Sequence, residues 1–322
     1  QIPRSHINRP RRTLPERKPM KSAWKTVISA LLLVLTALIW GVAFVAQSVG
    51  SDSVGPFTFL CCRSVIAGVA LLPVIALRGR GKEKPLLPRR TEWIGGVLCG
   101  AALGVASALQ QAGIAGTTSG KAGFLTALYI VIVPLFGLLL KKKVPAATWV
   151  GVGLAMVGMY LLCIGSGFSV SPSDALLLLC AVCFSVHILT VDHFSPKTDG
   201  VRMSCVQFFS CALLSAIPML IWERPDAASL AAAWLPILYA GLFSSAVGYT
   251  LQIVAQKNVP PALASLLMSL ESVFSALAGW AILHESLSPR ELAGCALVFA
   301  AILLAQIPAS FFIRLSRHSD TH

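Results

Sequence analysis

Apolar residues run along this chain in ten blocks, each near the roughly 20 residues that a helix needs to cross the hydrocarbon core of a bilayer. The blocks fall at 26–46, 56–77, 93–113, 121–140, 145–164, 174–193, 202–221, 233–254, 261–283 and 291–309. Charged residues collect in the short intervals between them. Backbone groups inside lipid must be satisfied within the segment, so runs of this length read as helices. The pattern predicts an all-α polytopic membrane protein with ten transmembrane helices.

Composition agrees. Of 322 residues, 56% are hydrophobic and only 12% charged, with a mean hydropathy of +0.78. A soluble domain carries about 25% charged residues, so no sizeable soluble domain fits. The net charge of +13 is explained by position. With the N-terminus inside, 22 of the 26 Lys and Arg side chains fall on the inner side. Only Lys121, Arg224 and Arg290 lie outside, and Arg63 is within a span. The positive-inside rule places both termini in the cytoplasm, and the basic loops need no nucleic-acid partner. Residues 1–24 form a basic tail rich in Pro and Arg, expected to be disordered; residues 310–322 form a cytoplasmic C-terminal tail. Residues 1–19 precede Met20 and read either as an upstream extension or as an added segment. The apolar run beyond Met20 lacks a convincing cleavage site and is read as a retained helix.

The nine cysteines lie in or beside apolar spans and imply no disulfide framework. Cys180-Ala-Val-Cys183 has redox or zinc spacing, but no second ligand pair accompanies it, and a metal needs three or four ligands. Packing is the better reading. Gly116-Thr-Thr-Ser-Gly-Lys121 fails as a phosphate loop, because the spacing between its glycines is wrong and no Ser or Thr comes after the Lys. No cofactor, metal or nucleotide is implied.

The chain reads as an internal duplication. An offset of 142 lays Leu109-Gln110 on Leu251-Gln252 and Tyr129 on Glu271. An offset of 143 lays Gly151 on Gly294 and Lys142 on Glu285, and 144 lays Trp40 on Phe184 and Arg63 on Gln207. The halves, 25–164 and 173–309, hold five spans each. Five is odd, so the second half is expected upside down relative to the first. Inverted repeats are common in secondary transporters, whose substrate site lies near midplane between the repeats. Close packing is expected at Gly96, Gly100 and Gly104 and at Gly151, Gly153 and Gly158. Pro134 is expected to kink the fourth span.

Glu271 sits near the middle of the ninth span. A carboxylate at that depth costs about 3 kcal/mol on insertion scales, so it should face a protein interior or an aqueous cavity. Ala264, Met268, Ser275 and Ala278 share its face; Leu266, Leu270, Val273 and Leu277 on the other face suit lipid or a packed core. A structural Glu that only ties helices together is the alternative. Arg63 lies about 10 Å into the second span at 1.5 Å per residue. It either attracts an anionic group or snorkels to the interface. His187 either relays protons or is a neutral, hydrogen-bonded interior residue. Gln110, Gln111 and Gln252 either line a polar patch or join helices by hydrogen bonds. Trp40 and Tyr129 shape an aromatic pocket or serve as packing anchors. Tyr249, in the eighth span, completes the candidate substrate-binding set of Trp40, Arg63, Gln110, Tyr129, His187, Tyr249, Gln252 and Glu271.

Several stretches resemble the EamA-type branch of the drug/metabolite transporter superfamily. They are Ile39-Trp-Gly-Val-Ala-Phe44, Gly120-Lys-Ala-Gly-Phe-Leu-Thr-Ala-Leu-Tyr129 with Val133-Pro-Leu-Phe-Gly137, and Gly248-Tyr-Thr-Leu-Gln-Ile-Val-Ala-Gln-Lys257. Leu270-Glu-Ser-Val-Phe-Ser-Ala276, with Leu283-His-Glu-Ser-Leu287 and Gly294 after it, resembles it most. The resemblance spans about residues 25–308. It implies ten helices in two inverted five-helix repeats, a central cavity and export of small metabolites such as amino acids. Where the first repeat usually ends its fourth span near an acid, this chain has Lys141-Lys-Lys143.

The expected function is therefore secondary transport in the inner membrane of a bacterium, exporting amino acids or related amphipathic metabolites by alternating access. The expected partners are a small-molecule substrate, the lipid bilayer and, if Glu271 titrates during the cycle, protons. A membrane-embedded enzyme acting on lipid or prenyl substrates is the main alternative. Its chemistry needs clustered acids or His, whereas Asp192 and Asp199 flank one loop and Glu271 stands alone in mid-membrane. A channel or scaffold is a third reading.

Overall fold

The structure is a computed structural model and describes residues 20–79, 88–117, 119–163, 171–284 and 286–306. Residues 1–19 of the basic tail, the tail at 310–322 and Glu285 lie outside these, as do the last three residues expected in the tenth span. The described residues form helices joined by short turns and loops, without strands. Eight helices are long and apolar enough to cross a membrane, and a shorter apolar helix covers Ala146–Leu162.

The elements keep the order of the apolar blocks. Helix α1 is Met20–Ser51, α2 is Pro56–Gly79 and α3 is Arg90–Ile114. The fourth span is two pieces, α4 (Ser119–Ala127) and α5 (Tyr129–Leu139), and α6 is Ala146–Cys163. The second half opens with α7 (Pro172–Phe194) and α8 (Gly200–Pro218), then a short α9 (Ala227–Ala232). The eighth span is composite: α10 (Trp234–Tyr239), a π-helical segment Ala240–Tyr249, and α11 (Thr250–Ala255). The ninth is again two pieces, α12 (Pro261–Met268) and α13 (Leu270–Leu283), and α14 is Pro289–Gln306.

Side chains at the span ends fix where helices start. Ser171 and Asp174 form a capping box at α7. The Asp199 carboxylate accepts from the Val201 and Arg202 amides at the start of α8. Glu92 ties the two halves at this level. It accepts from its own helix start at Arg89 (2.7 Å) and from the Asp199 amide (3.1 Å), and lies 3.4 Å from Arg202 Nε. Glu223, just past α8, reaches across to the amides of Phe57 (2.9 Å) and Thr58 (2.6 Å) at the start of α2. Asp192 pairs with Lys142. The two loop aspartates are therefore structural ties.

Packing is mostly between halves. Helix α6 runs along α14, α3 along α7 and α8, α2 along α8 and the π segment, and α1 along α13 and the π segment. The ninth span is the most enclosed: 78% of its apolar window is buried, against 39% for α1. Leu266, Leu270 and Val273 opposite Glu271 are core, at 0–2% exposure, so that face does not meet lipid. Gly158 and Gly294 allow a close crossing of α6 and α14. A Cβ at either would lie within 2.9 Å of the other's carbonyl oxygen. Gly96 and Gly100 press α3 on α8 in the same way. Gly153, expected to pack, has open space where a Cβ would stand.

The helical break in the fourth span comes before Pro134. The fourth span tightens at Leu128, whose amide bonds the Leu125 carbonyl (3.3 Å), and Val131 in turn bonds Leu128 (3.0 Å). These are three-residue bonds, tighter than α. Pro134 stays inside α5. The ninth span does the same at Ser269, whose ψ of −12° matches −13° at Leu128. There the Ser265 and Ser269 hydroxyls donate back to the carbonyls of Ala262 (2.9 Å) and Leu266 (2.7 Å), competing with the α ladder.

Gly158→Val should lower stability by about 1–3 kcal/mol, the usual cost of overpacking. Gly153→Ala should stay within about 0.5 kcal/mol. Thermal unfolding of both purified variants in one detergent checks this. Equal melting temperatures for the two would remove the proposed difference between a crossing point and an outward face.

Candidate functional site

Each helix interruption sets a polar side chain at its edge. Tyr129 is the first residue of α5 and Glu271 the second of α13. Their side chains meet across the halves, the Tyr129 hydroxyl donating to Glu271 Oε1 at 2.8 Å. Non-α backbone at membrane depth is tolerated where protein buries it or a cavity adjoins it. Here both conditions hold. A cavity of about 460 Å³, counting all space between atoms, opens beside this pair.

All eight candidate residues line that cavity. Trp40 and Arg63 come from α1 and α2, and Gln110 and Tyr129 from α3 and α5. His187 comes from α7, Tyr249 from the π segment, Gln252 from α11 and Glu271 from α13. Both halves contribute four. Gln111, the neighbour of Gln110, does not line it; its amide nitrogen donates to the Gln47 carbonyl at 3.0 Å.

One region of the wall is charged. Arg63 is 4% exposed and its Nη1 donates weakly to Gln47 Oε1 at 3.5 Å. The guanidinium is thus held at the cavity and does not snorkel to the interface. Glu271 is 5% exposed. No ion pair joins Arg63 to Glu271 among the described residues, so two ionisable groups of opposite type face one space separately.

The other region is aromatic. Trp40 and Tyr249 rings lie 4.6 Å apart, and His187 and Phe208 meet the Tyr249 ring edge-on at 5.7 and 5.8 Å. The π segment orients this wall. Its altered hydrogen-bond pattern re-aims carbonyls, and α1 uses one: Trp40 Nε1 donates to the Ser244 carbonyl at 3.1 Å. In return the Tyr239 hydroxyl donates to the Ile39 carbonyl at 3.1 Å. Gly248 is required here, because a Cβ would come within 2.7 Å of the indole nitrogen.

Several polar atoms at this wall have no partner. His187 Nε2 sits 3.0 Å from Gln207 Oε1, while its Nδ1, Gln207 Nε2 and Gln252 Oε1 make no hydrogen bond. Buried polar groups are nearly always paired, so orphans on two cavity-lining residues, His187 and Gln252, with a third on Gln207 next to His187, mark it as a place for a polar ligand or water. Gln47, Thr126 and Ser244 also line the cavity and were not anticipated. Gln47 fell outside the expected first span, which ends at 46, whereas α1 continues to Ser51. Gln207 was within reach, since it is the repeat counterpart of Arg63.

A multi-helix membrane body with ionisable groups facing an internal cavity between two halves is the arrangement of a transport protein. The EamA-like transporter family model matches residues 27–164 and again 171–306, and the chain belongs to this family. An uncharacterized transporter of Archaeoglobus fulgidus is 30% identical over 284 residues, covering 88% of this chain and 87% of that protein. The uncharacterized inner membrane transporter YedA of Escherichia coli K12 is 26% identical over 274 residues, covering 83% and 87%. A probable terminal-alkyne amino-acid exporter of Streptantibioticus cattleyicolor is 27% identical over 291 residues, covering 84% and 91%. A crystal structure with 19% identity superposes with a TM-score of 0.72 over 87% of this chain and 98% of that one, which shows a shared fold. The protein is a multi-pass membrane transporter of the EamA family.

The Tyr129–Glu271 contact should behave as a coupled pair. In a thermal-stability double-mutant cycle, Tyr129→Phe and Glu271→Met, which removes the acceptor, should be non-additive by about 0.5–3 kcal/mol, the range for residues in one hydrogen-bonded unit. Additive effects would show that the hydroxyl and the carboxyl do not act together.

Proposed function

We propose that the protein is a secondary transporter exporting small zwitterionic or amphipathic metabolites, amino acids foremost, by alternating access through the cavity between its halves. The observation that carries this is the presence in one cavity of two ionisable groups of opposite type, Arg63 and Glu271, that are not paired with each other. Arg63 offers a planar cationic fork suited to a carboxylate. Glu271 offers an acceptor suited to an amine. The aromatic wall of Trp40, His187 and Tyr249 suits an apolar or aromatic side group. A molecule with both charges and a hydrophobic part would satisfy all three regions. The name of the S. cattleyicolor relative points to the same substrate class.

Two further features support alternating access. The halves exchange reciprocal contacts: α1 lies on the split ninth span, and α7 on the split fourth. Together with the one-sided Lys and Arg distribution, this favours an inverted pair of five-helix repeats. Each repeat supplies one interrupted helix to the cavity, and such helices are recurrent parts of transporter sites. Glu271 serves either as the substrate's amine partner or as a proton carrier exchanged against it.

Flux of radiolabelled amino acids into sealed inside-out vesicles tests the proposal. The parent should accumulate a subset of them, favouring apolar and aromatic side chains. Glu271→Gln keeps shape and hydrogen bonding but cannot ionise. It should fold, melt near the parent and lose at least about tenfold in flux, the effect of 1.4 kcal/mol in an equilibrium. If Glu271 ionises during the cycle, the pH dependence of flux should vanish with it. Parent-like flux by Glu271→Gln across about pH 5.5–8, a range that carboxyl groups reach when burial raises their titration, would contradict this role.

A further inference from the structure

A second cavity lies away from the transport site, where the α5–α6 loop meets the start of α12 and the end of α14. Its walls bound about 610 Å³, space open to solvent included, and it is lined by Val133, Pro134, Val144 and Leu263, with Lys142, Lys143 and Thr148 among its polar members. None of these residues touches the central cavity.

Three independent features give this pocket affinity for an anion. The first is the start of α12. Pro260 provides no side-chain cap and Pro261 has no amide hydrogen. The first backbone bond is from Ala264 to the Pro260 carbonyl at 2.9 Å. The amides of Ala262 and Leu263 are left without an intrahelical partner, and both residues line the pocket. An uncapped helix start with free amides attracts negative charge. The second is Thr148. It is 4% exposed and lines the pocket, and its hydroxyl makes no hydrogen bond among the described residues. The hydroxyl oxygen is not itself sealed off, so it is free to donate to an anionic oxygen in the pocket. The third is the lysine run. Lys142 is held at the pocket by Asp192, which leaves Lys143 as an exposed ammonium on the rim, unpaired among the described residues.

The remaining lining is apolar, and the pocket sits at the ends of membrane-spanning helices. That combination favours an anion with hydrocarbon attached. The chain's own C-terminal residues have the wrong sign to fill it: after Gln306 they carry Arg314 and Arg317 against one acidic side chain, Asp320. We propose that this pocket binds the phosphoryl headgroup of an anionic phospholipid. Its oxygens would take hydrogen bonds from the Ala262 and Leu263 amides, the Thr148 hydroxyl and the Lys143 ammonium, with an acyl chain along Val133 and Leu263. Basic pockets between helices at the membrane surface are known to recognise such headgroups.

The location has a consequence for transport. The site would clamp the first turn of α12, whose last turn ends at the Ser269 interruption just before Glu271. An anionic lipid bound there would fix the half-helix leading to the central carboxyl, without entering the transport cavity.

The test uses the full chain in a zwitterionic detergent-free bilayer disc and in detergent. Thermal melting is monitored while dioctanoyl phosphatidylglycerol, dioctanoyl phosphatidylcholine or inorganic phosphate is titrated in. Phosphatidylglycerol should raise the melting temperature saturably, and the other two should not. Lys143→Gln and Thr148→Val are mild changes that should fold. Each should weaken the half-saturating phosphatidylglycerol concentration by about tenfold, the loss expected for one charge-assisted or buried hydrogen bond. Equal stabilisation by phosphatidylcholine would overturn the proposal, as would variants that respond like the parent. Stabilisation by inorganic phosphate to the same extent would assign the site to a free anion and reject the lipid.

Discussion

A carboxyl group in the middle of the most enclosed helix must find its partners inside the protein, because neither lipid nor bulk water is at hand. In this structure Glu271 finds two: the Tyr129 hydroxyl from the other half, and the space of the central cavity. Meeting both requires the fourth and ninth spans to approach each other at the same depth. It also requires each to place a polar side chain just past an interruption in its helix. The cross-half packing of α1 on the ninth span and of α7 on the fourth is the result, since these helices wall the remaining sides. The small-residue crossing of α6 on α14 closes the assembly away from the cavity.

Around that centre the polar groups divide into those that are satisfied and those that are not. Capping residues, the Glu92–Arg202 contact and the Lys142–Asp192 pair are fully engaged in holding helix ends together. Arg63, Glu271, His187 and Gln252 retain capacity that the protein does not use. A transporter needs this division. Its ties must survive the cycle, while its binding groups must stay free for the substrate and be worth filling when it arrives. The aromatic wall adds an apolar surface whose position depends on the π-helical backbone from Ala240 to Tyr249.

Much of this was legible in the sequence. The apolar blocks located the spans to within a few residues, because roughly 20 consecutive apolar positions leave a helix little freedom in a bilayer. The eight candidate residues converge on one cavity because polar and aromatic side chains within such spans have few other places to go. The interruptions were not legible. Pro134 carries the obvious breaker signal yet sits within a continuous helix, while the tight turns fall at Leu128 and Ser269, neither a Gly nor a Pro. The Ser269 turn carries local back-bonding by Ser265 and Ser269, but serines do this in many continuous helices, and nothing comparable marks Leu128. The π segment is equally invisible. Its carbonyls are taken up by Trp40, some 200 residues distant in the chain. The second cavity was also unseen, since Thr148 and the Ala262 amide are brought together solely by tertiary packing.

Alternating access requires the one cavity between the halves to serve both faces of the membrane in turn. Ala43 tests it directly, being a small cavity-lining residue at 1% exposure that makes no polar contact through its side chain. In an otherwise cysteine-free protein, Ala43→Cys would be treated with a membrane-impermeant maleimide in right-side-out and in inside-out vesicles. Labelling is expected from both faces, slowed in each case by a transported amino acid. Labelling from one face alone, or labelling indifferent to every amino acid tried, would contradict it.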